Sequence, residues 1–524
     1  MGLTLAALTT AFATARPDDL ALADDTGTLT WSELDSRVNQ LIHAFRQAGI
    51  DAGDTIAIVS GNCNEWFETS FACSNNGITH IPINWHLVGP EIAYILNDSN
   101  AKVVVVGHQF VDEVTRALDD DSVSGIELVL VIGAPTAGRF QNFDDFLATG
   151  SADEPDNQSF GGPMFYTSGT TGNPKGVRST LSSMPPSTDP SVWQLIGAGF
   201  SDLVIGDGRT VLCGPVYHSA QWAYSFLPMI IGSATVMQHK YDSAGVLDLI
   251  DRHQATNIHL VPTQMKRLID LPAETKASFD GSSLQLVLHG AAPCPPVIKQ
   301  GMIDWWGPKI TEYYGSTEGS VITMIDSEQW MAKGGSVGPP MANMEIIVVA
   351  DDGARLGPNE PGTLYFRNAM GMDFEYHNAP GKTDDAHLEP GVFTTGDIGY
   401  VDDDGYLWLS DRKIDMIISG GVNIYPAEIE GVLGGHSLVA DVAVIGIPND
   451  DFGEEVKAVI VPQVGVVPDE DLVNTLRAFC REQLAGFKVP RSFDFTDELP
   501  RTGTGKVQKA KVRAPYWEGH DRAI

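Results

Sequence analysis

The 524-residue chain of 56.4 kDa carries 33 Lys+Arg against 68 Asp+Glu, a formal net charge of −35 and a pI near 4.5. So acidic a protein lacks the dense cationic face that DNA, RNA or an anionic membrane requires, although a small anionic ligand needs only a few well-placed cations. Hydrophobic content of 43%, mean hydropathy of −0.05 and five cysteines in no metal-ligand spacing describe several globular cores with reduced thiols, a cytoplasmic setting and no structural zinc.

The opening residues are apolar and small, but no Lys or Arg precedes them and Arg16-Pro17 follows at once. They are expected to form an amphipathic helix, not a signal peptide. Ala6 stands where a myristoylation signal needs Ser or Thr, and Arg522-Ala523-Ile524 matches no peroxisomal or prenylation signal. Thr30 and Glu33 form a capping box, behind which Leu34, Val38, Leu41, Ile42 and Phe45 share one helical face up to Gly49. Thr55–Val59, Val103–Val106 and Leu128–Ile132 are short continuous apolar runs, the pattern of parallel strands covered on both faces. Apolar runs such as Phe226–Ile231 are far too short to span a bilayer.

From Gly338 to Leu409 the texture changes to short alternating strands between Asp/Gly turns: Glu345–Val349, Gly362–Phe366 and Gly405–Leu409. This predicts a small antiparallel, barrel-like unit. After Asp411 a compact α+β pattern follows, with strands at Val442–Ile445 and Ala458–Val461. The expected architecture is α/β: a large domain over 1–411 with doubly wound sheets, and a small mobile domain over 412–524.

The strongest chemical signal is Tyr166-Thr167-Ser168-Gly169-Thr170-Thr171-Gly172-Asn173-Pro174-Lys175-Gly176. Its small residues allow backbone N–H groups and hydroxyls to close around phosphate oxygens, with Lys175 adding a cation. No Gly-x4-Gly-Lys-Ser/Thr register occurs, so it is not a Walker A loop. A plain surface loop is the alternative, and eleven positions of this composition weigh against it.

This loop resembles the phosphate-binding signature of the adenylate-forming superfamily: acyl- and aryl-CoA synthetases, peptide-synthetase adenylation domains and luciferases. Further blocks follow in that family's order. His289-Gly290-Ala291-Ala292-Pro293 resembles the adenine-pocket strand and turn, and Tyr313-Tyr314-Gly315-Ser316-Thr317-Glu318-Gly319 the block with a metal-binding glutamate. Thr394-Thr395-Gly396-Asp397 resembles the ribose block, Asp411 through Glu430 the hinge region, and Pro500–Lys506 the catalytic-lysine loop.

The resemblance implies an ATP-dependent carboxylate–CoA ligase that works through an acyl-adenylate. Attack of the carboxylate on the α-phosphate expels pyrophosphate and leaves AMP as a competent leaving group. Two anions must meet, so the site needs Mg2+ and a positioned cation. Glu318 is the expected metal ligand, with Thr167 beside it; a hard carboxylate oxygen suits Mg2+. Thr167, Thr317, Lys175 and the loop residues Ser168 to Gly172 would hold phosphate. Asp397 and Arg412 would bind ribose, with Tyr314 stacked on an adenine admitted by Gly290, Ala291 and Ala292. Gly315 and Ser316 complete that wall. Lys506 would bridge the substrate carboxylate and the α-phosphate.

His218, in Val216-Tyr217-His218-Ser219-Ala220, falls where the family lines its acyl site, and Trp222 is expected beside it. The segment Val211–Trp222 contains no carboxylate, which disfavours an α-amino acid substrate. Met416 through Glu430 resembles the strand and loop of the pantetheine tunnel, with Ser419, Gly420 and Gly421 against the ligand. Two positions depart from the family: Ile414 where Asp or Lys is usual at the hinge, and Val422 for a common glutamate. The hinge therefore lies at Lys413 or Ile414.

The expected substrate is a medium- or long-chain fatty acid or another apolar acid, with aryl or steroid-side-chain acids as alternatives. The chain ends soon after the lysine loop, which suits diffusible CoA as acceptor; a separate carrier protein is the alternative. A silent nucleotide- or acyl-binding protein is the reading from another class, and keeping Lys506, Glu318, Asp397 and Thr167 together argues against it. A homodimer is the ordinary expectation. Charge is uneven: residues 412–524 hold 17 acidic and 13 basic side chains, and from Lys488 onward basic groups outnumber acidic ones by 8 to 5.

Overall fold

The computed structural model describes residues 5–134, 138–167, 174–179, 205, 207–412, 415–419, 422–449, 452–501 and 507–518. By packing, the chain divides into two compact units. The first comprises Met1–Leu260, Leu271–Leu288 and Met372–Asp385; the second comprises Val261–Asp270, His289–Gly371 and Ala386–Ile524.

In the first unit a parallel sheet runs in the order Phe140–Asn142, Leu128–Ile132, Val103–Gly107, Thr55–Val59, Thr79–Pro82, Gly162–Pro163. Alternate residues of its central strands serve opposite faces. Ile56, Ile58, Val103 and Val105 join one apolar cluster, whereas Ala57, Val59, Val104 and Val106 join another. The strands are buried on both sides, as their unbroken apolar runs require. A second sheet is ordered Leu286–His289, Asn257–Leu260, Arg209–Leu212, Ala234–Met237, Leu20–Ala23, Thr28–Thr30, with an antiparallel final pair.

The helix Leu5–Ala15 forms as expected, and Trp31–Gln47 begins at the Thr30/Glu33 capping box. Leu34, Val38, Leu41, Ile42 and Phe45 are all fully buried on the latter. Each CH2 removed from water stabilises by about 0.8 kcal/mol, so this stripe fixes the helix far more firmly than intrinsic propensity does.

The second unit contains an antiparallel sheet ordered His387–Glu389, Val392–Phe393, Gly362–Asn368, Asp397–Val401, Leu407–Arg412, with Met344–Val349 also paired to Gly362–Asn368. The expected strand Gly405–Leu409 starts later, at Leu407. Gly405 has φ +86° in a turn, and Asp402 Oδ1 accepts the N–H groups of Asp404 and Tyr406. A further sheet contains Val422–Ile424, Ile417–Ser419, Gly453–Pro462 and Val439–Asn449, with Ser492–Phe495 parallel to Gly453–Pro462. Ile417, Ile429, Leu433, Val444, Ile460 and Leu476 form its core with the helices Pro426–Gly434 and Glu470–Gln483. Residues 426–430, expected to belong to a strand and loop, instead open a helix with Pro426 at its first position, where a missing N–H costs nothing.

No helix among the described residues is long and apolar enough to cross a membrane.

Candidate active site

In the first unit the phosphate-type loop caps a hairpin. Phe165–Thr167 pairs antiparallel with Lys175–Ser179, setting Thr167 directly opposite Lys175 and Tyr166 opposite Gly176. Residues Ser168, Gly169, Thr170, Thr171 and Gly172 lie outside the described residues.

The stem is held by a segment that sequence reasoning missed, some 200 residues downstream. Phe374–Tyr376 adds as a third strand, and the His377 N–H donates to the Gly176 carbonyl at 2.8 Å. The Lys175 ammonium lies over the Tyr376 ring, 4.6 Å from its centroid. Tyr166 Oη donates to Asp98 Oδ2 at 2.7 Å, while His377 Nε2 and Asn378 Nδ2 donate to the Asp98 carbonyl at 2.9 and 3.1 Å. Burial, and then the Asp98 carboxylate, push the Tyr166 hydroxyl well above its usual range, so it remains a donor. Gly176 is closely packed: an added Cβ would stand 3.1 Å from Met164 Sδ and 3.2 Å from both the Tyr166 ring and His377 Cβ.

The acyl-type segment lies in the same unit. Asn62, buried, accepts from the Val216 N–H at 2.9 Å and donates to the carbonyls of Gly214 and Gln238 at 2.8 and 2.9 Å. The backbone ahead of His218 is thereby fixed. His218 is the N-cap of the helix Ser219–Ile230, and burial lowers its pKa to about 3, so the imidazole is neutral at physiological pH. Trp222 stacks on Phe226 at 4.8 Å, Phe226 stacks on Phe71 at 4.5 Å, and Phe165 meets Trp222 edge-on at 5.8 Å. The strand that leads to Thr167 therefore touches Trp222, the ring expected beside the acyl group.

In the second unit, Tyr314 Oη donates to Asp397 Oδ2 at 2.5 Å and Thr395 Oγ1 donates to the same oxygen at 2.7 Å. Two blocks about 80 residues apart in sequence thus meet at one carboxylate. The hydroxyl of Tyr314, read from sequence as an adenine-stacking ring, also orients Asp397. Gly396 makes the turn at φ +79°, its N–H bonded to Thr394 Oγ1 at 3.0 Å. Arg412 is the cross-strand register partner of Asp397.

Ile310–Ser316 and Ser320–Ile325 form a hairpin with Thr317, Glu318 and Gly319 in its turn. Ser316 Oγ accepts the Gly319 N–H at 2.9 Å, and the register shifts between Tyr314 and Gly315. Gly290 must be glycine, since a Cβ would lie 2.7 Å from the Tyr313 ring. Ala291 adopts φ +66°, an uncommon conformation for a non-glycine residue, in the turn read as the adenine wall.

Behind this hairpin, Lys299 is fully buried and donates to Glu312 Oε2 at 2.7 Å. Its ammonium lies 4.9 Å from the Trp330 ring centroid, and His289 Nε2 is 3.8 Å from the same carboxylate oxygen. Burial raises the Glu312 pKa and lowers that of Lys299. The pair ties the helix Pro296–Trp306 to the strand bearing Tyr313 and Tyr314. Nothing in the local sequence pattern distinguishes either residue from a surface charge.

Ser419 ends the strand Ile417–Ser419 opposite Val422; Gly420 and Gly421 lie outside the described residues, as do Lys413, Ile414 and Lys506. An isolated bridge between Arg501 and Val507 closes the ends of the lysine loop.

Comparison with known proteins agrees along nearly the whole chain. The family model "AMP-binding enzyme" matches residues 9–373, and "AMP-binding enzyme C-terminal domain" matches 428–506. The feruloyl-CoA synthase of an Amycolatopsis species is 33% identical over 93% of this chain and 94% of its own. The long-chain-fatty-acid–CoA ligase FadD13 of Mycobacterium tuberculosis is 31% identical over 93% of each. The crystal structure of the anthranilate CoA ligase AuaEII with anthranoyl-AMP superposes with a TM-score of 0.88 at 25% identity, covering 99% of this chain and 98% of that one. The chain accordingly belongs to the AMP-binding enzyme family, as an adenylate-forming acid–thiol ligase of the acyl-CoA synthetase type.

Proposed function

We propose that this enzyme joins an apolar carboxylic acid to CoA in two steps at the residues described above. A carboxylate oxygen attacks the α-phosphorus of ATP, the bond to the bridging oxygen breaks, and pyrophosphate departs. The CoA sulfur then attacks the acyl carbon, the bond to AMP breaks, and the thiol proton passes to solvent. The observation that supports this reading most directly is the Tyr314–Asp397–Thr395 cluster. It presents an oriented, acceptor-only carboxylate of the kind that vicinal ribose hydroxyls require.

In this reading Thr167, Lys175 and the loop between them hold the phosphates, and Arg412 assists Asp397 at the ribose. Gly290, Ala291, Ala292, Tyr314, Gly315, Ser316 and Thr317 surround the adenine and α-phosphate. Among the described residues no three His, Cys, Asp or Glu side chains converge as a metal cage. A single carboxylate in a hairpin turn, Glu318, fits Mg2+, which is commonly held by one or two carboxylates plus substrate phosphates. Bound there, Mg2+ would supply charge neutralisation on the triphosphate. Lys506 bridges the acid and the α-phosphate in the first step, and Ser419, Gly420 and Gly421 admit the pantetheine arm in the second. Lys413 or Ile414 serves as hinge between domains spanning 1–411 and 412–524.

His218, neutral, and Trp222 border the acyl group. The feruloyl-CoA synthase relative favours an aryl acid, and a fatty acid, as named for FadD13, is the second reading. The test is pyrophosphate release over a panel of fatty acids, benzoates, cinnamates and steroid-side-chain acids, with AMP formation followed as CoA is added. A narrow optimum with CoA-stimulated AMP supports the proposal. Binding of ATP without pyrophosphate release from any acid would instead favour a silent binding protein.

A further inference from the structure

The strands that carry the phosphate-type loop converge on a residue far outside it, Asp98, all within the first unit. Tyr166 follows Phe165 on the strand Phe165–Thr167, and the two side chains serve opposite faces. Phe165 meets Trp222, whereas the Tyr166 ring packs on the apolar cluster that contains Ile92, Ile95 and Met164. From there its hydroxyl donates to the Asp98 carboxylate at 2.7 Å. The strand Lys175–Ser179 is tied to the same residue by another route. Gly176 accepts the His377 N–H, and His377 Nε2 and Asn378 Nδ2 donate to the Asp98 carbonyl. Asn378 Nδ2 also lies 3.4 Å from Asp98 Oδ1.

Tyr166 and Gly176 are direct cross-strand partners, and the next pair toward the loop is Thr167 with Lys175. One residue thus holds both members of the pair that stands one step below Thr167 and Lys175. Register matters there, because a slip by one residue would turn Thr167 or Lys175 to the opposite face of the stem. The two loop-bearing strands share just three register pairs, from Phe165–Val177 to Thr167–Lys175, so backbone pairing alone specifies that register weakly.

Asp98 also occupies a place that helix stability does not favour. It is the last residue of the helix Gly89–Asp98, whose last turn has no basic side chain. A carboxylate there faces the negative end of the helix dipole, where a cation would be stabilising. The donors His377 and Asn378 satisfy the helix-end carbonyl, which any residue at this position would supply. What the carboxylate adds is the bond to Tyr166, with a longer contact to Asn378.

We propose that Asp98 is a positioning residue for the triphosphate, clamping both strands of the stem so that Thr167 and Lys175 meet the β- and γ-phosphates. The inference rests on the reading of Tyr166–Gly176 as a phosphate-binding loop. AMP lacks those two phosphates and so does not sense the clamp. The affinities for ATP and AMP therefore separate a positioning role from general support of the fold, whose loss weakens both.

The test is calorimetric titration of the intact enzyme with ATP in the presence of Mg2+ and, separately, with AMP. The wild type is expected to bind ATP more tightly than AMP. Asp98→Ala should weaken ATP binding by about tenfold, as expected for one lost hydrogen bond to a charged group, with AMP affinity kept within about twofold. Asp98→Asn, which still offers Tyr166 an acceptor, should recover most of that loss. Tyr166→Phe, which removes the hydroxyl and no carbon atom, should weaken ATP selectively as well, and it carries the test alone if Asp98→Ala does not fold. Unchanged ATP affinity in Tyr166→Phe and Asp98→Ala overturns the proposal, as does an equal loss for ATP and AMP in Tyr166→Phe. A wild type that binds AMP as tightly as ATP would be a different result, overturning the phosphate-loop reading itself.

Discussion

The two sets of residues assigned to substrates are prepared in opposite ways. Around Asp397 the hydroxyls of Tyr314 and Thr395 are already spent on the carboxylate. Around His218, the enclosed atoms Tyr217 Oη, His218 Nε2 and Gln221 Oε1 have no hydrogen-bond partner among the described residues. A nucleotide is the same in every turnover, so a rigid, self-bonded cradle loses nothing by being finished in advance. An acyl site that must reject near-isosteres gains discrimination from groups that only the right ligand completes. On the proposed assignment, the common chemistry is built in and selectivity is left to the substrate.

Several perturbations would sharpen or break that contrast. The largest effect is expected from Lys506→Ala, which removes the charge proposed to act at the reacting atoms and leaves both sets of proposed binding residues intact. ATP–pyrophosphate exchange should fall by about 10²–10³-fold with an unchanged melting temperature. Normal exchange in that variant would show that binding residues alone suffice.

Next comes Lys299→Met, which leaves the buried Glu312 carboxylate uncompensated behind the nucleotide residues. A loss of about 3–5 kcal/mol in denaturant unfolding is expected, largely restored by adding Glu312→Leu. Additive losses in the double variant would show that the pair supports the hairpin in some other way.

Asp397→Ala should lower kcat/KM for ATP by about 10–100-fold, the worth of one or two hydrogen bonds to a charged group, with little change in the preference among acids. A changed acid preference would break the separation between the two sets of residues.

Acid should weaken the first unit specifically. His80 and His259, buried there, have pKa values lowered to about 3 by burial, whereas the unfolded chain protonates them near 6.5. The unfolded state therefore binds more protons between those values, so stability is complete above pH 6.5 and is lost as pH falls toward 3. Each contributes up to about 1.4 kcal/mol per pH unit in that window. Urea midpoints that stay flat from pH 7 to 5 would contradict this.

The smallest effect is expected from Tyr376→Leu, which removes the ring beneath Lys175. A cation–π contact of about 0.5–1 kcal/mol corresponds to a two- to fivefold rise in KM for ATP, with kcat nearly unchanged. A fall in kcat instead would place Tyr376 closer to the chemistry than a stem support.

Much of the architecture was legible because its determinants are local. The Thr30/Glu33 capping box, the Leu34-to-Phe45 stripe and the runs at 55–59, 103–106 and 128–132 each encode their element within a few residues. The strand at 405–409 was misplaced by two residues because the side chain of Asp402 bonds two backbone N–H groups and prolongs the turn. Residues 426–430 were read as strand and loop from the family resemblance, whereas Pro426 stands at the first position of a helix.

What the sequence determined by itself was the family chemistry. Blocks such as Tyr166–Gly176 and Thr394–Asp397, which resemble the family's phosphate and ribose blocks, carry their small and polar residues contiguously, as one loop that grips a ligand with consecutive groups must. Only the tertiary structure decided which distant groups support them. The strand at 374–376 with His377 on the phosphate stem, Tyr314 on Asp397, and Glu312 under Lys299 all join residues from separate elements. Pairing, burial and missing partners are properties of three-dimensional neighbours, and no linear spacing records them.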